Sequence, residues 1–157
     1  MTKRECGSCT ACCEGWLSAD ALDMRPGRPC RHCTKQGCAI YENRPEDPCV
    51  RFKCAWLEDE GQYPDEMRPD RSGVIAIPGR KWRNWKVILA IPAGQSVPQE
   101  SLEWLRKHAQ KSGLPLVFHE RLVTDGEFTG AKARAYGSPV FANAVKYSLG
   151  PEDVIKM

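Results

Sequence analysis

Long apolar runs are absent from the 157-residue sequence. No segment approaches the roughly 18 consecutive apolar residues that a membrane-spanning helix needs. The first residues, MTKRECGSC, contain no apolar stretch of signal-peptide length. We therefore expect a cytoplasmic protein that does not contact a membrane, in a compartment where disulfides rarely persist.

Familiar catalytic motifs are absent as well. The sequence contains no phosphate-binding loop, no HExxH zinc motif, no dinucleotide fingerprint and no Ser-His-Asp set typical of hydrolases. The net charge of +3 is too small to indicate nucleic-acid binding. Hydrolytic and nucleotide-driven catalysis therefore have no support, and whether the protein is an enzyme stays open.

Cysteine is absent from the chain after Cys54, and all nine cysteines lie in the segment from Cys6 to Cys54. In a reducing compartment so dense a set favours metal ligation over disulfides, and an odd number cannot all pair within one chain. A disulfide framework or buried unligated thiols are the alternatives. The predicted metal ligands are Cys6, Cys9, Cys12, Cys13, Cys30, Cys33, Cys38, Cys49 and Cys54.

The segment CGSCTACCEGW, residues 6–16, contains four of these thiols. On a helix they would share one face, and a loop with its amides turned toward sulfur would also bring them together. Neighbouring side chains diverge on either kind of regular backbone, so Cys12 and Cys13 are strained as joint ligands of one ion. We therefore predict more than one metal, or a bridging cysteine.

The remaining spacings fit several metals. Cys30 and Cys33 have the two-residue gap common to zinc knuckles and iron-sulfur loops. Two tetrahedral zinc ions or two four-iron clusters take four thiolates each and would leave one of the nine cysteines spare, whereas three bridged ions would use all nine. We expect an iron-sulfur cluster or iron ions, with zinc as the alternative.

These residues also carry a family resemblance. The segments CGSCTACCEGW, PCRHC and GCAIYENRPEDPCVRFKCAWL resemble the CxxCxxCC family of bacterial proteins, the YkgJ-like cysteine-cluster proteins described as zinc- or iron-chelating. The resemblance covers residues 6–57 and includes every cysteine. It implies metal chelation by the cysteines, leaves the metal open, and does not extend to residues 73–157.

Other candidate residues have simpler interpretations. His32 could replace a thiolate and Glu14 could bind metal, but solvated or outer positions are the more frequent ones for such residues. We expect Arg44 and Arg51 to balance the charge of the thiolates. The segment RKWRNWK, residues 80–86, has a composition suited to stacking on single-stranded nucleic acid, yet a half-buried strand would look the same.

Two kinds of function follow from these residues. The first is a metal-binding protein with a multinuclear thiolate site, which would support redox chemistry or metal-assisted modification. The alternatives are a structural zinc module that presents a basic, aromatic surface to nucleic acid or protein, and a metal storage or delivery protein. The expected partners are metal ions and a protein, and nucleic acid is not expected.

The overall pattern predicts an α+β protein. We expect a small cysteine-rich, metal-stapled module over residues 1–57, packed on a small α/β unit over residues 74–157 with a short sheet and one or two helices. Residues 58–73 are polar, contain Pro64 and Pro69, and are predicted to be a surface connection.

The secondary structure of the second half has recognisable signals. One helix is predicted over residues 96–113, with Ser96 and Gln99 at capping-box spacing and Gly113 at its end. Another is predicted over residues 138–150, with Ser138 as N-cap. Strands are predicted in SGVIAIP, WKVILAI, LPLVFHERL and FTGAKARAYG, with a turn at TDGE.

Overall fold

The strands form two sheets in a computed structural model that describes residues 4–58 and 61–148. A small hairpin pairs β1 (Cys33–Thr34) with β2 (Gly37–Cys38). A four-stranded sheet contains, in spatial order, β3 (Val74–Trp82), β4 (Trp85–Pro92), β5 (Leu116–Thr124) and β6 (Glu127–Tyr136). Its outer pairs are antiparallel and its central pair is parallel. Together with the helices this confirms the α+β class.

The turns of this sheet follow the local sequence. Asp125 and Gly126 have φ values of 53° and 80°, the left-handed pair that a tight two-residue hairpin requires. The predicted TDGE turn and the strands on both sides of it are therefore confirmed. Strand β3 is longer than predicted, because it continues beyond an irregularity between Ile77 and Arg80 into the basic segment.

Four α-helices accompany the strands in the described part of the chain: α1 (Ala55–Glu58), α2 (Pro69–Ser72), α3 (Gln99–Ser112) and α4 (Pro139–Ser148). The long helix α3 makes the crossover between the parallel strands β4 and β5, and it buries Leu105 and Ala109. It ends at Gly113, whose φ is 70°. Within residues 4–58 and 61–148, no helix is long and apolar enough to cross a membrane.

The start of α3 differs from the prediction. The N-cap position is Pro98, no side chain caps the helix, and Ser96 lies outside it, so the capping box predicted from Ser96 and Gln99 is wrong. The reason is the proline: its ring forces the preceding Val97 away from helical geometry, and Pro98 itself is extended with ψ of 143°.

The start of α4 confirms the predicted cap. Ser138 accepts a hydrogen bond on its hydroxyl from the backbone N–H of Phe141, at 3.2 Å, and Pro139 is the first helical residue. Gly150, predicted to follow the helix, lies outside the described residues. The ring of Phe141 is fully buried, so the cap fixes the turn that places a core side chain.

Replacing Ser138 by alanine should lower the free energy of unfolding by about 1 kcal/mol, because the N–H of Phe141 loses its side-chain acceptor. Ser138→Asp keeps an acceptor and is the matched control, which should retain most of the stability. Urea unfolding followed by circular dichroism measures the difference. Equal stability of the alanine and wild-type proteins would contradict the cap.

The main hydrophobic core joins the cysteine-rich half of the chain, which ends at residue 57, to the half that contains the four-stranded sheet. Buried sheet residues such as Leu89 and Leu116 belong to the same cluster as Leu17, Ala55 and Trp56 from the cysteine-rich half. The cysteine-rich half therefore contributes apolar side chains to a shared core, although the sequence shows few there.

The segment over residues 58–73 also differs from the expected surface connection. Tyr63 and Met67 are buried, at 4% and 5% exposure, and both belong to the main core. Ser72 is buried too, and its backbone carbonyl accepts a hydrogen bond from the hydroxyl of Ser101 on α3, at 2.6 Å. Two apolar side chains in a polar sequence are enough to hold this segment against the fold.

Candidate metal centre

The first cysteines lie on a loop followed by a wide helical turn. The chain reverses at Gly7, and the backbone N–H of Cys9 donates to the carbonyl of Cys6 at 2.8 Å. The wide turn then covers Cys12–Trp16. Of the two arrangements that the sequence allows, the loop describes Cys6 and Cys9, whereas Cys12 and Cys13 begin the helical turn.

Cys12 belongs with three thiols from the two ends of the cysteine-rich half. Burial raises the pKa of Cys12 well above its ordinary value, and the charges of Cys54, Cys6 and Cys9 raise it further, with a smaller effect from Cys13. The thiols of Cys9, Cys12 and Cys54 also pack on the main hydrophobic core. We name Cys6, Cys9, Cys12 and Cys54 the first thiol group.

Cys13 faces a different set of thiols. Burial raises its pKa to about 12, and the neighbours that add to the shift are, in order, Cys33, Cys38, Cys30 and Cys49. The thiols of Cys13, Cys33 and Cys49 pack with Cys30 on a separate small apolar cluster that contains Leu22 and Met24. Packing and electrostatics therefore agree that the two adjacent cysteines point into different groups.

Backbone contacts bring the distant cysteines to the opening segment. The N–H of Cys30 donates to the carbonyl of Cys13 at 2.7 Å, and the N–H of Cys33 donates to that of Cys30 at 3.0 Å. Gly37, which precedes Cys38 and has φ of 125°, lies so close to Gly7 that an added Cβ would be 2.5 Å from its carbonyl oxygen. The β1–β2 hairpin is thereby held against the loop that contains Cys6 and Cys9.

Eight of the nine thiols line one cavity of about 90 Å³. This volume is several times the roughly 10–15 Å³ that one water molecule needs. Cys33 is the exception: it does not line the cavity, and its thiol lies beside that of Cys13, near the carbonyl of Thr34 at 3.9 Å and near Glu14. The cavity-lining cysteines are Cys6, Cys9, Cys12, Cys13, Cys30, Cys38, Cys49 and Cys54.

Arginines surround the first thiol group. Arg44 lines the cavity, and its charge counteracts the burial that raises the pKa values of Cys6 and Cys49. Arg68 is hydrogen-bonded to Cys9 and to the hydroxyl of Ser8. Arg44 would offset the negative charge of ligating thiolates, whereas the charge of Arg68 is also balanced by Asp70, with which it pairs at 2.7 Å. Arg68 follows the cysteines by more than ten residues in the sequence, and no local signal indicates its place.

Trp56 contributes an indole donor at the cavity. Its ring lines the cavity, and its Nε1–H is buried without a hydrogen-bond partner among residues 4–58 and 61–148. A buried N–H without a partner costs free energy, so an acceptor that joined the site within reach of this donor would be stabilised.

The other candidate residues, His32, Glu14 and Arg51, differ in whether they line the cavity. His32 lines the cavity, where its Nε2 accepts a hydrogen bond from the Nε–H of Arg31 at 3.3 Å. Glu14 is exposed and accepts a hydrogen bond from the indole of Trp16, which supports the solvated interpretation. Arg51 pairs with Asp47 at 3.9 Å and does not line the cavity.

The thiols lie close together, but the structure does not arrange them as the ligands of a metal ion. In the part of the chain that the structure describes, no three His, Cys, Asp or Glu side chains stand in the geometry that holds a metal ion. All nine cysteines are free thiols. Burial and mutual repulsion raise the pKa values of Cys12, Cys13 and Cys54, so metal binding at these thiols would have to displace protons and draw the sulfurs together.

Compared with protein family models, curated proteins and solved structures, the chain matches none of them.

Proposed function

We propose that the protein binds metal through a multinuclear, thiolate-ligated centre. The observation that carries the proposal is the division of the thiols: Cys12 and Cys13 are adjacent in sequence and point into separate groups around one cavity. The resemblance of residues 6–57 to the CxxCxxCC cysteine-cluster proteins supports the same chemistry.

The eight cavity-lining thiols form two sets of four. The first set is the first thiol group, and the second consists of Cys13, Cys30, Cys38 and Cys49. Four thiolates complete the shell of a tetrahedral zinc ion or of a four-iron cluster. We assign Cys33 as the spare ninth cysteine because it alone lies outside the cavity lining, although it is the thiol with the largest effect on Cys13.

The chemistry of the donors selects the metal class. Among the described residues, the cavity lining contains thiols, one histidine, Arg44 and mostly apolar side chains, and it contains no carboxylate. Such a set suits iron-sulfur clusters or iron ions, with zinc as the alternative, and it does not suit magnesium or calcium. Two full shells of protein ligands leave no open coordination position, so electron transfer suits the site better than direct substrate binding at metal.

Elemental analysis of protein purified without oxygen, together with its absorption spectrum, tests this proposal. We expect about two zinc ions per chain, or about eight irons with matching sulfide and a broad absorption band at about 400 nm. Cells would be grown with both metals supplied. A chain that retains less than about half an equivalent of any metal would contradict the proposal.

A structural zinc module that binds nucleic acid through residues 80–86 receives less support. Trp82 and Trp85 both contact the edge of Phe141, with ring centroids 5.7 Å and 5.2 Å apart, and both are half-buried. Their rings are therefore engaged within the fold, as expected for a half-buried strand.

The free thiols also suit a reducing compartment, so we propose a cytoplasmic location.

A further inference from the structure

A second cavity, of about 250 Å³, lies where the cysteine-rich half meets the sheet. Trp16 and Phe128 form an aromatic wall, with ring centroids 5.6 Å apart and planes at 87°. His119 and Arg121 of β5 and Ala131 of β6 also line it, and Arg121 pairs directly with Ala131 across the two strands. No cysteine lines this cavity, so it is separate from the candidate metal centre.

Arg121 is the central polar group of the cavity, and it is only 7% exposed. Its Nη1 donates to the carbonyls of Pro92 and Gly94, and its Nη2 donates to the carbonyl of Trp16. These bonds use three of the five N–H donors of a guanidinium. Among the described residues no hydrogen bond uses the Nε–H or the second hydrogen of Nη2, so two donors are available to a carboxylate or phosphate.

The buried cation has no carboxylate to balance it in the described part of the chain. Its partners are carbonyl oxygens and the face of Trp16, whose centroid lies 5.0 Å from the guanidinium carbon. Burial lowers the pKa of Arg121 to about 10. The cavity lining contains a second arginine, exposed Arg25, and no Asp or Glu. A desolvated charge is costly unless it is paired, so the site is suited to an anion.

We propose that this cavity binds a small organic anion, with its carboxylate or phosphate group on Arg121 and its apolar body against Trp16 and Phe128. The volume lies below the roughly 300–1,000 Å³ of common ligand pockets, which limits the body to about one ring. Arg25 lies at the cavity with its side chain exposed, and adds positive charge there.

Titration of the full-length protein with four probes tests the proposal: benzoate, phenyl phosphate, neutral benzamide and inorganic phosphate. We expect benzoate or phenyl phosphate to bind at least about tenfold more tightly than benzamide and inorganic phosphate, because only they offer both charge and ring. The tighter of the two identifies the charged group. Equal binding of benzoate, phenyl phosphate and benzamide, or no binding of any probe, would overturn the proposal.

Variants locate the site. Ala131→Leu fills the cavity beside Arg121 without removing any hydrogen bond, and should weaken binding of the preferred probe at least about tenfold. Arg25→Gln should weaken it about threefold through loss of charge, and Arg134→Gln, an exposed arginine of β6 outside the cavity lining, is the matched control. Unchanged affinity in Ala131→Leu would overturn the proposal. This test leaves the buried Arg121 in place, so it does not depend on whether a protein without that arginine folds.

Discussion

Cys12→Ala protein should retain about half of its metal, and Cys13→Ala protein should retain the other half. Cys12 lies among Cys54, Cys6 and Cys9, whereas Cys13 lies among Cys33, Cys38, Cys30 and Cys49. Each substitution therefore removes one thiolate from one set of four and leaves the other set complete. Three thiolates hold a tetrahedral ion or a cluster much less tightly than four do.

Metal content per chain, measured after gel filtration under anaerobic conditions, would show the loss. Cys33→Ala is the matched control, because it removes a thiol by the same substitution at the one cysteine outside the cavity lining, and it should retain full metal. Thermal unfolding of the three variants would add a second readout, since metal that binds only the folded state stabilises it.

Two results would contradict this division. If Cys12→Ala and Cys13→Ala each lost all metal, the centre would be a single bridged cluster in which both thiols take part. If Cys33→Ala lost as much metal as the other two variants, the ninth cysteine would be a ligand, and the sets of four would be wrong.

The division of the thiols could be predicted because it depends on local geometry. Adjacent side chains diverge on any regular backbone, so the sequence alone indicates that Cys12 and Cys13 have different neighbours. Which neighbours they have could not be predicted. That depends on the contact of Gly37 with Gly7 and on the hydrogen bond from Cys30 to Cys13, which link segments far apart in the chain.

The fold shows the same contrast between local and distant effects. The cap at Ser138 and the turn at Asp125 and Gly126 need only neighbouring residues, and both were predictable. Ser96 failed as a cap because Pro98 imposes a stronger local constraint, one that the sequence does contain. The burial of Tyr63 and Met67 depends on the shared core and has no local signal.

The place of Trp16 is the most informative difference at the site. Tyr41, Phe52 and Trp56, which are close to cysteines in the sequence, line the cavity beside the sulfurs. Trp16 instead faces Phe128 and Arg121. The wide five-residue turn begins with the two adjacent cysteines and ends with Trp16, and it contains the left-handed Gly15. The same turn therefore contributes side chains to both cavities.

That turn makes Gly15→Ala the substitution with the largest expected effect on stability. Gly15 has φ of 94°, and an added Cβ would lie 2.1 Å from the carbonyl oxygen of Arg25 and 3.0 Å from that of Arg28. Both contacts are with backbone atoms, so no side-chain rotation can relieve them. We expect the free energy of unfolding to fall by about 4 kcal/mol, in the range reserved for severe steric conflicts.

Gly126→Ala is the matched control for this substitution. Its φ of 80° is similar, but the position of its Cβ is open space, so only the left-handed backbone should cost free energy, about 1–2 kcal/mol. At about 2–4 °C per kcal/mol for a domain of this size, the two melting temperatures should differ by at least about 4 °C. Gly15 lies in the chain between Cys13 of the candidate metal centre and Trp16 of the second cavity. Gly15→Ala should therefore also lower both metal content and anion affinity, while Gly126→Ala should leave both unchanged. Equal melting temperatures would mean that the turn at Arg25–Arg28 moves away at little cost, and that the packing of this turn does not set the direction of the two adjacent thiols.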